Sequence, residues 1–269
     1  MRLTPLVSAA FVLLVSGLSS AQEWIEYSSS EDLFTVNFPA EPDVRDTAYA
    51  TEYNVTLPGR VHSIENGPNR YSVTVVDYRN VEETHAERLA DCEGGSRSYA
   101  NLCGNPWIAE MEGALDYASW GILQRDGEVT HYAYYRTERV EGRRIQLTNA
   151  DQSRTFAAIH MHANRLYILE GTVPHGSPPP GLFQQSLGFI DDEGIRVRYE
   201  STYTNMHPSP PRVQYGQQPG AVPSLAGLQM GTRRSFTEGP FAGQTWEVDG
   251  SGDPMLVEEE GSPGTSQGP

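Results

Sequence analysis

Three histidines come closest to forming a chemical site by residue type and spacing. His160 and His162 form an H-x-H pair in a predicted strand, which places both imidazoles on one face with their Cα atoms about 7 Å apart. Two such nitrogens can ligate a transition metal, and His131 on another predicted strand is the candidate third ligand. The alternative, which we favour, is ordinary hydrogen-bonded sheet histidines, because no H-E-x-x-H or related motif accompanies them. No cofactor is predicted unless these histidines hold a metal.

Tyrosines are the second group of candidate residues. Tyr132 and Tyr134 share one face of a predicted strand, with Tyr135 beside them and Tyr167 on another strand. Such side chains can line a groove for a sugar, a peptide or a lipid headgroup. We favour the alternative that they form the aromatic cross-strand pairs that stabilise sheets. The sequence contains no G-x-S-x-G motif and no phosphate-binding glycine loop, so no catalytic residue is predicted.

The elements that would position these residues are strands joined by short turns. Thr155 to His162 and Arg165 to Val173 are rich in β-branched and aromatic residues, and Ala163-Asn164 suits a tight turn between them. The two strands are apolar on both faces, which predicts a central position in a sheet that is covered on both sides. Short turns from Val129 onwards predict an antiparallel meander, because parallel neighbours need long connections.

Two other segments carry a clear pattern. Phe34, Val36 and Phe38 alternate with polar residues and should face the core. Pro106 suits the start of a helix over 107–124, with Glu110 off its apolar stripe. The residues of that stripe recur every three or four positions: Trp107, Met111, Leu115, Ala118 and Ile122.

The first 21 residues have the features of a cleaved export signal. Arg2 precedes an apolar run, and small residues stand before Gln22. A membrane anchor is the alternative, but Pro5 and Ser8 interrupt a stretch that is already short for a span. We predict export to the periplasm, with secretion outside the cell as the alternative, and no integral membrane span after cleavage.

Cys92 and Cys103 are the two cysteines of the chain. In an exported protein they are expected to form a disulfide, which would stabilise the fold by about 3 kcal/mol. A metal or redox pair is the alternative, but the ten residues between them fit neither a zinc hook nor a C-x-x-C motif.

Charge and composition divide the chain and limit its partners. The formal net charge of −16 argues against nucleic acid as a partner, because both molecules would be negative. Residues 22–200 have the composition of a single α+β domain. Residues 201–269 are rich in proline and glycine and are expected to be a mostly disordered acidic tail. The alternative for part of this tail is a docked strand within Phe236 to Val248.

A family resemblance supports this α+β prediction. The segment WIEYSSSEDLFTVNFPAEP from Trp24, together with RLYILEGTV from Arg165 and GLFQQSLGF from Gly181, resembles exported bacterial proteins of the PsbP/Mog1-like group. The resemblance extends from Trp24 to Tyr199, and the core is also similar to an uncharacterised set of exported proteobacterial proteins. It implies an α/β/α sandwich, with a central antiparallel sheet flanked by helices. It also implies a non-catalytic binding or assembly role.

These observations lead to two expectations for function. The first is a non-catalytic binding or assembly factor of the cell envelope that contacts a protein partner. It depends on the resemblance and on the lack of a catalytic motif. The second is a small metal-binding protein or metal-dependent enzyme that uses His160 and His162 with His131.

Overall fold

The computed structural model describes residues 24–90, 106–213, 223, 225, 228–237, 241, 243–250 and 254–257. Three helices and fourteen strands lie within these residues. The predicted export signal (1–21) and the predicted disulfide between Cys92 and Cys103 lie outside the described residues. In the described part of the chain, every helix is too short or too polar to cross a membrane.

The main sheet has seven strands. In chain order, the strands are β1 (Ile25–Ser29), β2 (Phe34–Phe38), β3 (Asp43–Ala50), β4 (Thr56–Asn66), β5 (Asn69–Asp77), β6 (Gly127–Thr137), β7 (Val140–Asn149), β8 (Arg154–His162), β9 (Arg165–Val173), β10 (Gly188–Ile190), β11 (Arg196–Val197), β12 (Arg233–Ser235), β13 (Thr245–Val248) and β14 (Pro254–Val257). The helices are α1 (Val81–Ala90), α2 (Trp107–Leu123) and α3 (Gly181–Gln184). The main sheet runs β3-β4-β5-β9-β8-β7-β6, with every neighbouring pair antiparallel. The predicted sheet-rich α+β architecture with a central antiparallel sheet is confirmed.

The hairpin of β8 and β9 lies inside this sheet. His162 stands opposite Arg165 at its closed end, and Ala163 and Asn164 have φ angles of 47° and 56°. Two consecutive residues with positive φ are typical of the two-residue turns that match the twist of a hairpin. Both strands are buried on both faces, as their apolar sequences predict.

One face of the main sheet, the helix face, packs against α1 and α2. Ala157, Ile159 and Leu166 lie on this face in a core that also includes Met111 and Ile122 of α2. The predicted apolar stripe of the helix is therefore confirmed. Glu110 differs from the prediction, because it is 1% exposed although its position is off the stripe.

The opposite face, which we call the strand-covered face, packs against a second sheet of four strands in the order β1-β2-β10-β11. Phe34, Val36 and Phe38 are fully buried against it, as predicted. The expectation that helices flank both faces is wrong for this face, where the four-residue helix α3 is the helical contribution to the core. The segments that cover it have the period-two pattern of strands, so they bury their apolar residues as a sheet.

Part of the expected tail is described as strands, and β13 lies within Phe236 to Val248, the segment for which a docked strand was the alternative. The described residues beyond 200 include a three-stranded antiparallel sheet of β12, β13 and β14. Its core contains Phe236, Phe241 and Trp246 and packs on Ile195 of the main domain. Tyr203 also joins the core under the strand-covered face, so the domain continues past residue 200. The few aromatic residues of this region are enough to form a small core, although its overall composition resembles disorder.

Candidate functional site

The three predicted metal ligands do not come together. His160 and His162 lie on β8 and point to the strand-covered face, whereas His131 is exposed on the edge strand β6. His131 is paired with Gln146 of β7, while His160 is paired with Gly142, four positions further along that strand. Among the described residues, no group of three His, Cys, Asp or Glu side chains could hold a metal ion.

His160 and His162 instead belong to the core. His160 Nδ1 donates to the carbonyl oxygen of Glu141 at 3.2 Å, and His162 Nε2 is 2.8 Å from the hydroxyl of Tyr199. The His162 ring also packs on Phe189, with 4.5 Å between the ring centroids. Burial lowers the pKa of His160 to about 4 and that of His162 to about 3, so both rings are neutral near pH 7. The arrangement is that of core histidines.

The tyrosines do not form one groove either. Tyr132 and Tyr134 share a face, as predicted, but lie on the edge strand β6, where they are 48% and 55% exposed. Tyr135 points to the other face, where the Arg144 guanidinium lies 3.8 Å from its ring centroid. Tyr167 is fully buried in the middle of the sheet.

A charged pocket on the strand-covered face is the candidate site. It has a volume of about 250 Å³ and lies between the β1–β2 turn and residues of four main-sheet strands. The turn supplies Glu31 and Asp32. The strands supply Asp46 from β3, Arg60 from β4, Asp77 from β5 and Arg165 from β9, and Arg79 follows β5.

Most of the charges in this pocket are paired with one another. Arg60 binds Asp32 in a bidentate manner, with Nε–Oδ2 and Nη2–Oδ1 distances of 2.9 and 2.6 Å, and also forms an ion pair with Glu31. Arg79 binds both carboxylate oxygens of Asp77, at 2.9 and 2.6 Å. Burial alone would raise the pKa of Asp77, but the hydrogen bonds and charge of Arg79, together with the charge of Arg165, lower it below its usual value. The carboxylates of Asp32 and Asp77 therefore both have arginine partners within the protein.

A hydrogen-bond network behind the pocket fixes the position of Asp32. His62 is 1% exposed and lies between Asp32 and Tyr27, with Nε2 2.8 Å from the Asp32 carboxylate and Nδ1 3.0 Å from the Tyr27 hydroxyl. A carboxylate oxygen accepts hydrogen bonds, so His62 Nε2 donates to Asp32, and in the neutral ring the Tyr27 hydroxyl donates to Nδ1. The main chain of Asp32 is held as well, since its N–H donates to Ser29 Oγ and its carbonyl accepts from Tyr167.

This Asp–His–Tyr array has the order of a proton relay, but Tyr27 is poorly suited to be a nucleophile. Burial, together with the negative charges of Glu41 and Asp32, raises the pKa of the Tyr27 hydroxyl. The phenol therefore stays protonated at neutral pH. We interpret the array as a positioning network that orients Asp32 and, through it, Arg60.

Arg165 is the exception among the arginines of the pocket. It is 7% exposed and lines the pocket, but it makes no hydrogen bond or ion pair with any described residue. Buried charges in proteins are normally paired, because removing a charge from water costs several kcal/mol. A guanidinium carries five donors and matches carboxylate and phosphate oxygens. The pocket can therefore accept an anionic group at Arg165.

The sequence prediction missed this site, although one signal pointed to it. Asp77 ends one strand, whose face with Tyr71, Val73 and Val75 is otherwise apolar, and Arg165 begins another strand that is apolar on both faces. Charged residues at paired ends of such strands are candidates for a site at the margin of the core.

The fold and the pocket define a sheet-rich α+β protein with a charged, arginine-lined pocket. No protein-family model matches the chain, and neither does any curated protein.

Proposed function

We propose that this chain is a non-catalytic binding protein of the cell envelope, which holds the anionic group of a small ligand on Arg165. The observation that carries the proposal is Arg165, a residue that is 7% exposed, lines the pocket and makes no hydrogen bond or ion pair within the described residues, whereas Arg60 and Arg79 are paired with carboxylates. The free protein bears the cost of burying this charge, and an anionic ligand would offset it. Such costs are typical of functional sites.

Rigid positioning of the pocket supports a binding role. Its walls are strands of the main sheet and a turn that is held by Ser29, His62 and Tyr167, so little has to be ordered when a ligand enters. A preformed site of this kind saves the entropy cost of assembling the binding residues. The predicted export and the PsbP/Mog1-like resemblance of Trp24 to Tyr199 agree with the proposal, since both suggest an envelope binding module.

Calorimetric titration of the purified full chain with caproate and with inorganic phosphate tests the proposal. We expect binding of at least one of these anions, and Arg165→Met should weaken it at least about tenfold, as the loss of a charge-assisted hydrogen bond implies. Arg70→Met is the matched control, because Arg70 lies on the helix face at the far end of β5 and should leave binding unchanged. Equal binding by the wild type and Arg165→Met, or no binding of either anion by the wild type, would overturn the proposal.

A further inference from the structure

The charges of the pocket are unequal in number. Four carboxylates line it against three guanidinium groups, and the internal pairs are Arg60 with Asp32 and Glu31 and Arg79 with Asp77. Apart from Arg165, one charged group is left over. Asp46 is exposed on β3 and makes no hydrogen bond or ion pair with any residue in the described ranges.

The excess of carboxylates over guanidinium groups in the pocket disfavours a ligand that is purely anionic. Such a ligand would add negative charge to a pocket that already has an excess of carboxylates, in a chain of net charge −16. A phosphate dianion would be repelled more than a carboxylate, because repulsion grows with charge. A ligand that also carries a cation would avoid this repulsion and would find an unpaired carboxylate at Asp46.

Resting on the proposed function, we infer that the ligand is a zwitterion, with a carboxylate on Arg165 and an ammonium group at Asp46. The sheet order sets how far apart these two charges are. β3 and β9 are separated by β4 and β5, so their axes are about 14 Å apart at the usual strand spacing. Both residues line the same pocket, Asp46 from the β3 side of this span and Arg165 from the β9 side. An amino carboxylate with its charges at the two ends of a chain fits this separation better than an α-amino acid, whose charges are adjacent.

Caproate and ε-aminocaproate form a matched probe pair, because they differ by the terminal ammonium group. We expect ε-aminocaproate to bind the wild-type chain about two- to fivefold more tightly than caproate, the effect of one exposed ion pair. Asp46→Asn should remove this difference, because it weakens ε-aminocaproate binding and, by removing one negative charge, does not weaken caproate binding. Asp43→Asn is the control, since Asp43 is an exposed aspartate on the same strand whose side chain points to the opposite face.

The outcomes separate this inference from the proposed function. If caproate and ε-aminocaproate bind equally well and both depend on Arg165, the inference of a zwitterionic ligand is wrong. The proposed anion site at Arg165 is then still supported. If Asp46→Asn and Asp43→Asn weaken ε-aminocaproate equally, the ammonium responds to the general field of the protein and the assignment to Asp46 is overturned. If the wild-type chain binds neither probe, both proposals fail.

Discussion

Asp77 and Arg165 stand directly opposite each other on β5 and β9, yet they do not form an ion pair. Both carboxylate oxygens of Asp77 are bound by Arg79, two residues further along the chain. Cross-strand neighbours of opposite charge normally attract and pair. Because Arg79 occupies Asp77, the guanidinium of Arg165 stays available in the pocket.

The competition between the two arginines can be tested by removing Arg79. In Arg79→Ala, the Asp77 carboxylate is free to pair with Arg165, so the affinity for caproate should fall by about tenfold. Arg79 also lines the pocket, so the single variant does not separate competition from lost ligand contact.

The double variant Asp77→Asn/Arg79→Ala makes this distinction. It removes the competing charge, so caproate affinity by calorimetry should return to near the wild-type value. A double variant that binds as weakly as Arg79→Ala would show that Arg79 contacts the ligand directly and that competition for Asp77 is unimportant.

Arg165 should reduce the stability of the free protein. Arg165→Met keeps an unbranched side chain of similar packing but removes the charge of a largely buried residue that has no hydrogen-bond or ion-pair partner among the described residues. The free energy of unfolding without ligand should therefore rise by about 1–3 kcal/mol. Urea unfolding measures the change. The exposed Arg70→Met variant is the control and should stay within about 0.5 kcal/mol of wild type. A less stable Arg165→Met protein would mean that Arg165 is a structural residue.

Burial of His160 and His162 should make the fold sensitive to mild acid. Their pKa values in the folded protein, about 4 and about 3, lie below the ordinary value of 6.5. The unfolded chain therefore takes up protons first as the pH falls below about 6.5, and each histidine should cost about 1.4 kcal/mol of stability per pH unit down to about pH 4.

Urea unfolding at several pH values between 7.5 and 5 tests this sensitivity. His162→Gln should reduce the slope of stability against pH, by an amount that approaches about 1.4 kcal/mol per pH unit below about pH 6, whatever its effect on stability at pH 7. His131→Gln on the exposed edge strand is the matched control and should retain the wild-type slope. An unchanged slope in His162→Gln would contradict the neutral, buried state of this ring.

Sequence patterns predicted those strands and helices whose hydrophobic periodicity is strong. The β8–β9 hairpin was predictable because apolar strands flank a two-residue turn, and α2 was predictable because its apolar residues recur at helical spacing. β10 and β11 have three and two residues, too few to show a period. The second sheet was missed for this reason, since its strands come from segments about 150 residues apart that meet only in the folded chain.

The candidate pocket was largely beyond local prediction. Asp32, Asp77 and Arg165 come from distant segments, and each is a common surface residue when considered alone. What distinguishes Arg165 is its burial without a partner, which is a tertiary property. For His160 and His162, local sequence predicted a site that the structure does not contain among its described residues. An H-x-H spacing indicates that two side chains share a face but not what covers that face.

Glu110 on α2 provides a second test of buried charge, on the helix face. Its carboxylate accepts hydrogen bonds from Thr51 Oγ1 at 2.7 Å and from the Tyr53 N–H at 3.2 Å. His85 Nε2 lies 3.4 Å away, and Arg88 donates to His85 Nδ1. Burial raises the pKa of Glu110 and lowers that of His85, so both shifts favour a neutral pair.

The raised pKa of Glu110 fixes the sign of its effect on stability. The unfolded chain loses this proton at a lower pH than the folded protein, so the wild type loses stability as the pH rises from about 4.5 through the folded pKa. Glu110→Gln keeps an oxygen for Thr51 and Tyr53 but has no proton to lose. Its free energy of unfolding relative to wild type should therefore increase with pH, as measured by urea unfolding at pH 4.5, 6 and 7.5. The exposed Glu112→Gln on the same helix should show no such trend. A Glu110→Gln protein that loses stability relative to wild type as the pH rises would show that the ionised carboxylate stabilises the fold, with Arg88 as its counter-charge.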